Sequence, residues 1–363
     1  MTVPRSFVVV LSVAFAAFAV HAAGAAAQTM PGFVNVADFV AADGKTDAAD
    51  GIQRLIDANP NRTLWFADGT YLLSKPICTP AAPRRSVDLR LSNYAILKAA
   101  AGWTNTEAMV RLGGIHPAND INTPGSVYSL TGGIIDGSGV AKGVSIDSGR
   151  ETRVRLVSMK NVLVGIHIKR GANSGSSDAD IADVHIRGNG SRNSVGVLIE
   201  AHDNTLSNMR IAHVHTGVKL LGGGNLLTNI HPLFNGTDGR YGDTIGFADY
   251  DNNNSYNRCY SDHFSTGWFF GAKSKIAYMD GCMCYWYAKT PGQRQTAICC
   301  EGRYNALSSK MWIGFTGRDG QTNSVICVGE KGGVGVLEDP HLNEGAVNEK
   351  ERNYLQYLRG GVH

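Results

Sequence analysis

Three polar side chains with complementary chemistry occupy matching positions along the chain. Arg210, His231 and Tyr260 each lie fourteen residues after a glycine that opens a short apolar segment. A guanidinium can neutralise a carboxylate, an imidazole can take a carbon-bound proton, and a phenol can protonate a leaving oxygen. Because this combination suits β-elimination of a uronic acid, we treat the three residues as candidate catalytic groups. The alternative is an ordinary solvated sheet face.

Other polar side chains lie close to these three in the chain. We expect His185 to extend the same column on one side and Asp280 to extend it on the other. The remaining candidates for substrate binding are Arg240, Tyr241, Asp262 and His263. Asp243 and Asp249 are further catalytic candidates, as an acid–base pair.

Asp249 occupies a position whose counterparts in the other repeats are apolar. A carboxylate in such a place must be paired, protonated or displaced by a bulge. Together with Asp243 and Asp251 it suggests a calcium site, since Ca²⁺ prefers carboxylate oxygens. Calcium is the one cofactor that the sequence suggests, and no metal ligand is assigned. A structural role near a turn is the alternative.

The elements that must position these side chains are short strands that open with glycine. Their first residues are Gly143, Gly165, Gly196, Gly217, Gly246 and Gly267, and Ala297 follows in register. The successive spacings are 22, 31, 21, 29, 21 and 30 residues. A unit of 21 residues suits one coil of three strands and three turns, and such repeats indicate a solenoid. The pattern predicts an all-β fold, a right-handed parallel β-helix of about ten coils.

Two further features support this register. Val197 and Ile199 alternate with Leu198 and Glu200, as expected of a strand with one buried face. Eight residues after their glycines stand Asn204, Asn225 and Asn254, which predicts a stacked asparagine ladder at a turn. Leucine-rich repeats are excluded, because the leucine pattern is missing and a 21-residue unit leaves no room for a helix.

The longer coils carry extra residues at defined places. The extra residues lie within 232–243 and 285–295, and in an earlier coil within 171–180 and 188–193. The first two segments belong to the same corner and predict a wall of loops beside the candidate column. Long loops on a rigid scaffold are common sites of function.

A second outward column stands four residues after the glycines. It contains Asp147, Lys169, Glu200, Tyr250 and Glu301. Two carboxylates could serve a glycosidase, which needs them about 5 to 9.5 Å apart. Asp147 and Glu200 are two coils apart, ~10 Å at ~4.8 Å per strand, at the edge of that range. A solvated face is the alternative.

The first 27 residues have the order of a secretory signal peptide. Arg5 precedes an apolar run at 7–20, and small residues follow at 22–27. The run is shorter than the roughly 20 residues that span a bilayer, and no later segment could span one, so we expect a secreted or periplasmic protein. The remaining divisions are an N-terminal strand with a capping helix at 28–60, the β-helix at 61–340 and a C-terminal tail at 341–363.

Composition narrows the class of protein further. The chain has 44 glycines, 18% charged residues and a net charge of +3. It has no basic run, so we expect no nucleic-acid partner. Its seven cysteines lack zinc-site spacing and are interpreted as small buried hydrophobes, with one disulfide among the C-terminal five as the alternative.

The N-terminal segment resembles a known family. VNVADF at 34–39, ADGKTD at 42–47, GIQRLI at 51–56 and LWFADGTYL at 64–72 are similar to the opening of pectate-lyase-superfamily β-helix proteins. The chain has Phe39-Val40-Ala41 where that family usually shows Phe-Gly-Ala. The resemblance implies a helix at about 47–58 that caps the solenoid, and a carbohydrate as partner. It does not select a reaction, because the family includes lyases, hydrolases, epimerases and phage tail spikes.

Three functions are consistent with these observations. The first is an exported polysaccharide lyase that cleaves a uronate-containing glycan. The second is a glycoside hydrolase or glycan-transferring enzyme with Asp and Glu as acid and base. The third is a non-catalytic glycan-binding β-helix. In each case the partner is a polysaccharide or oligosaccharide. A homotrimer is one possible assembly, because β-helices often trimerise, but the sequence has no interface signal for or against it.

Overall fold

Short parallel strands, three to a coil, build the chain from Gly32 onward. The computed structural model describes residues 32–79, 87–113, 128–171, 176–234, 242–274, 276–286 and 295–301, and five further strands between Asn305 and Leu342. The expected signal peptide lies outside the described residues. Each strand pairs in parallel with the equivalent strands one coil before and one coil after. The prediction of a right-handed parallel β-helix is confirmed.

The strands that open with glycine form one sheet, here called the glycine sheet. Its ten described strands are Ile77–Cys78, Ala108–Leu112, Lys142–Ile146, Val164–Ile168, Val195–Ile199, Thr216–Leu220, Ile245–Asp249, Thr266–Phe270, Thr296–Cys300 and Ser324–Val328. A Cβ at Gly196 would lie 2.4 Å from Ile211 Cγ2 and 2.5 Å from the carbonyl oxygen of Gly217. Glycine recurs here because the side chains of the opposite wall approach the backbone closely.

The other two strands of each coil form a second sheet and a third sheet. The strands of the second sheet are Phe33–Asn35, Arg62–Phe66, Val87–Leu91, Ser129–Thr131, Arg153–Arg155, Asp180–Ala182, Asn254–Asn257, Ile276–Asp280, Asn305–Ser308 and Val336–Leu337. Those of the third sheet are Asp43–Asp47, Gly69–Leu73, Ala95–Ala99, Ile134–Asp136, Ser158–Val162, His185–Gly188, Tyr260–Asp262, Met283–Tyr285, Trp312–Gly314 and His341–Leu342. Two longer strands, Thr205–Ala212 and Leu226–Leu233, run through both sheets. The third sheet therefore continues into the segment that we expected to be a C-terminal tail.

A single residue with positive φ turns the chain from the second sheet into the third. The residues that do so are Leu156, Asp183, Asn208, Asn229 and Arg258, with φ between 51° and 58°, and Gly281 at 59°. The left-handed conformation bends the backbone sharply without a loop. On the surface of this corner the Asn229 amide donates to Asn208, and the Asn208 amide donates to Asp183.

The predicted asparagine ladder is confirmed at the corner between the glycine sheet and the second sheet. The Asn204 side-chain amide donates to Asn225 Oδ1 at 2.9 Å, and the Asn225 amide donates to Asn254 Oδ1 at 3.0 Å. All three side chains are buried. The ladder ends on Asp249, whose Oδ1 accepts from the Asn254 amide at 2.9 Å. These bonds satisfy polar groups that water cannot reach.

A helix closes the N-terminal end of the solenoid, as the resemblance implied. It spans Ala49–Ala58 and buries Ile52 and Ile56. Gln53 fastens it to the first coil, since its amide nitrogen donates to the carbonyl of Cys78 and its amide oxygen accepts from the Cys78 backbone.

The interior of the solenoid is apolar and includes cysteine. Cys259, Cys282, Cys284 and Cys300 are buried thiols, which confirms their interpretation as small hydrophobes. None of the helices within the described ranges is long and apolar enough to cross a bilayer.

Candidate functional site

The three candidate catalytic residues lie in one column on the outer face of the third sheet. Arg210 is paired in register with His185 on one side and with His231 on the other. Tyr260 follows on the next strand, and its ring stacks on His231 with centroids 4.1 Å apart and planes 16° apart. Met209, Ile211 and Ile230 point inward and are fully buried, which turns Arg210 and His231 outward. The register predicted from the glycine spacing therefore brings these groups together.

The expectation for the far end of the column was wrong. Met283, not Asp280, is the register partner of Tyr260. Asp280 pairs with Asn257 in the second sheet, before the corner at Gly281. In register, Phe270 and Ala277 are two residues further apart along the chain than Asp249 and Asn254 one coil earlier, so counting from the glycine misplaces the column.

Asp262 joins His231 and Tyr260 into one cluster. Its Oδ2 lies 3.4 Å from His231 Nε2, and its side chain extends from the same face of the same strand as that of Tyr260. Asp262 is only 8% exposed. Burial, followed by the nearby charge of Asp262, raises the pKa of Tyr260 well above its usual value. Tyr260 is therefore a neutral phenol throughout the physiological pH range.

Arg210 and His185 are exposed on the strands beside this cluster. The Arg210 guanidinium donates to the carbonyl of Met209 at 3.1 Å. It forms no ion pair with the residues that the structure describes. Its charge is therefore available to a ligand.

His263 does not match its expected role in substrate binding. It is 1% exposed and has a φ of 64°, at the corner that follows Tyr260–Asp262. Burial lowers its pKa, although the charge of Asp262 partly opposes this effect. Arg240 and Tyr241, the other expected binding residues, lie outside the described residues.

Asp243 belongs to a different cluster, which the sequence did not indicate. Its Oδ1 lies 3.0 Å from His215 Nε2, and its Oδ2 lies 2.5 Å from Arg192 Nη2. Burial raises the pKa of Asp243, but the bonds from His215 and Arg192 outweigh that effect and lower it. This cluster stands where the chain enters the glycine sheet.

Asp249 lies inside the solenoid. It is fully buried and accepts hydrogen bonds from the Tyr256 hydroxyl at 2.8 Å and from the Asp251 backbone at 3.1 Å. The extended strand Ile245–Asp249 separates it from Asp243 by about 20 Å, at ~3.3 Å per residue. The two aspartates therefore form neither an acid–base pair nor, with Asp251, a calcium site. No group of three or more His, Cys, Asp or Glu side chains in the described ranges is arranged to hold a metal ion.

The second outward column forms a closed ionic network on the glycine sheet. Asp147 accepts from Arg111 at 2.5 and 2.7 Å, from Ser145 at 2.6 Å and from Lys169 at 3.0 Å. Burial raises the pKa of Asp147, but these partners outweigh that effect and lower it. Glu200 instead lies 3.3 Å from His167. Both oxygens of Asp147 are occupied, so Asp147 and Glu200 do not form a glycosidase pair.

Proteins of known structure share this fold at low sequence identity. An alginate lyase from Paenibacillus sp. str. FPU-7 matches with a TM-score of 0.56 and 15% identity over 81% of this chain and 97% of its own. A tailspike protein of E. coli bacteriophage HK620, solved with a hexasaccharide, matches with a TM-score of 0.63 and 12% identity over 87% of this chain and 64% of its own. The pre-mature gene product 12 of bacteriophage phi29 matches with a TM-score of 0.69 and 14% identity, and this chain spans 46% of it.

Among curated proteins, none matches the chain significantly. A family model described as rhamnogalacturonase A/epimerase, pectate lyase-like, matches residues 33–239, which is more than half of the 363 residues. The matched region includes the capping helix, Arg210 and His231. The chain therefore belongs to the pectate lyase-like family of rhamnogalacturonase A and epimerases.

Proposed function

We propose that the protein is an exported polysaccharide lyase that cleaves a uronate-containing glycan by β-elimination on the outer face of the third sheet. The observation that carries this proposal is the cluster of His231, Tyr260 and Asp262 beside the guanidinium of Arg210, which has no ion-pair partner among the described residues. It supplies a base, a neutral phenol and a cation on adjacent strands. The family and the alginate lyase among the structural neighbours are consistent with it.

Arg210 would bind the carboxylate of the uronate at the cleavage site. Abstraction of the C5 proton moves negative charge onto that carboxylate, and a guanidinium stabilises this charge more strongly as it develops. A planar guanidinium also matches both carboxylate oxygens, which fixes the orientation of the sugar.

His231 would act as the base and Tyr260 as the acid. The C5 proton passes to the imidazole, and its electron pair forms the C4–C5 double bond as the bond from C4 to the glycosidic oxygen breaks. The Tyr260 hydroxyl protonates that oxygen, and the proton held by His231 returns to Tyr260 through solvent. One proton is taken and one is given, and no water is consumed.

The glycoside hydrolase alternative needs two carboxylates placed as acid and base. Among the described residues, neither pair that we considered for this role is suitably placed. Asp147 is engaged by Arg111, Ser145 and Lys169. Asp243 and Asp249 stand at opposite ends of one strand. The third alternative, a non-catalytic glycan-binding β-helix, is distinguished by the experiment that follows.

The test is a panel of uronate polymers and neutral polysaccharides, with ultraviolet absorbance of the unsaturated product as the readout. We expect the wild type to produce absorbance with at least one uronate polymer, and His231→Ala and Tyr260→Phe to lose it by on the order of 10²-fold or more. Glu200→Gln, which alters a carboxylate–histidine contact on the glycine sheet, is the matched control and should retain activity.

Two results would contradict the proposal. One is release of saturated reducing ends without absorbance, which indicates hydrolysis. The other is retention of a glycan on the protein without any cleavage, which indicates a binding module.

A further inference from the structure

Asp262 contacts the proposed base and lies beside the proposed acid. Its Oδ2 faces His231 Nε2 at 3.4 Å, and the His231 ring stacks on Tyr260. Asp262 lies two residues after Tyr260 on the same strand, so both side chains extend from the same face of the third sheet.

The environment of Asp262 is unusual for an aspartate on an outer sheet face. The residue is 8% exposed, and its Oδ1 is buried without a hydrogen-bond partner in the described residues. Its register partners on the adjoining strands are Leu233 and Tyr285, neither of which carries a charge. A buried carboxylate oxygen without a partner is costly and calls for an explanation, and a role in catalysis is one such explanation.

The contact with Oδ2 determines which nitrogen of His231 carries the proton. A carboxylate only accepts hydrogen bonds, so the nitrogen that faces it must be the protonated one. That nitrogen is Nε2. The other nitrogen, Nδ1, then keeps its lone pair and is the basic atom.

We propose that Asp262 is the positioning residue of this site, which holds His231 in the tautomer with the proton on Nε2 and so presents Nδ1 to the substrate. This inference rests on the proposed function, because a positioned base matters only if a proton is taken. Asp262 itself does not touch the sugar.

The first test reads the tautomer directly, without substrate. Nitrogen-15 NMR of histidine-labelled protein distinguishes the two tautomers, and the His231 signals are assigned by their loss in His231→Gln. We expect wild-type His231 to carry its proton on Nε2. In Asp262→Asn the amide can donate to Nε2, and the proton should move to Nδ1. A wild-type proton on Nδ1, or no change in Asp262→Asn, would overturn the inference whether or not a substrate is known.

The second test uses turnover of whichever uronate polymer is cleaved. Asp262→Asn should lower kcat by on the order of 10²-fold with little change in KM, as expected when a base is held in the wrong tautomer. Asp262→Glu should restore part of kcat, because it restores an acceptor. Glu200→Gln removes a carboxylate that lies 3.3 Å from His167, and it should leave both kcat and the His231 signals unchanged.

The outcomes separate the two claims. If no glycan is cleaved but the tautomer behaves as described, the proposed function fails and the positioning contact stands. If cleavage occurs and Asp262→Asn retains full kcat, the lyase stands and the role of Asp262 is wrong.

Discussion

Asp249 is the residue whose chemistry differs most from that of its surroundings. Its carboxyl group lies in the interior column, next to the register positions of Leu220 and Phe270. Burial raises its pKa from 3.8 to about 6, against the opposing hydrogen bonds from Tyr256, the Asp251 backbone and Asn254. The protonated form therefore persists to a higher pH in the folded protein than in the unfolded chain.

This shift gives the stability a pH dependence with a defined sign. Because the folded pKa lies above the unfolded one, the stabilising effect is complete below the unfolded pKa and is lost as pH rises through about 6. The loss amounts to about 3 kcal/mol. Urea unfolding at pH 5 and pH 8 measures the upper part of this loss, about 1.4 kcal/mol, because stability has already fallen between pH 3.8 and pH 5. Asp249→Asn, which keeps the shape of the neutral acid, should reduce the difference, and an unchanged difference would show that Asp249 is not its source.

At the same scale, Arg210 should matter for charged substrates in particular. Replacing it with Ala should lower kcat/KM on a uronate polymer by on the order of 10²-fold, since a cation facing developing charge is lost. Arg187, an exposed arginine on the neighbouring strand His185–Gly188, provides the control. Arg187→Ala should have little effect, and equal losses in the two variants would indicate only a general effect of net charge.

At the scale of the elements, the asparagine ladder should be a principal source of stability. Asn225→Ala removes buried bonds to Asn204, Asn254 and the carbonyl of Gly222, and it leaves the backbone N–H and side-chain amide of Asn204 without their acceptor. We expect a loss of about 3 kcal/mol in the free energy of unfolding. Asn229→Gly in the exposed ladder keeps the left-handed conformation and should cost less than about 1 kcal/mol. Chemical denaturation measures the free energy of unfolding of both variants. Similar losses in the two variants would show that burial of the ladder is not the source of its stabilising effect.

The sequence was sufficient to predict the elements whose side chains must repeat. Glycine at each strand start reflects the close approach of Ile211 and its equivalents, and asparagine at the ladder reflects a repeated set of buried bonds. The corner between the second and third sheets was not predictable, because the backbone there needs only a left-handed residue. Leu156 and Arg258 serve that purpose as well as Asn208 does.

The site was predictable in part for the same reason. Arg210, His231 and Tyr260 follow the strand register, which the glycines reveal. The role of Asp262 was not predictable, because it depends on the burial of this residue and on one contact with His231 on the adjacent strand. Asp280 was misplaced because two residues inserted in a turn leave no trace in the glycine spacing of the neighbouring coils.

At the scale of the whole molecule, the column from His185 to Tyr260 runs parallel to the axis of the solenoid. Its four residues span ~14 Å, at ~4.8 Å per strand. A glycan bound along it would contact several strands at once, so kcat/KM should rise with oligosaccharide length before reaching a plateau. Kinetics on uronate oligomers of increasing length test this arrangement. Equal kcat/KM for the shortest cleavable oligomer and the polymer would contradict it.

The central claim is that the cleavage is an elimination carried out by His231 and Tyr260. Its most direct test is digestion of a uronate polymer in water enriched in oxygen-18, followed by mass spectrometry of the fragments. Elimination consumes no water, so we expect unsaturated fragments without the heavy isotope, and none at all from His231→Ala. Saturated fragments that carry one oxygen-18 at the new reducing end would show hydrolysis and contradict the account.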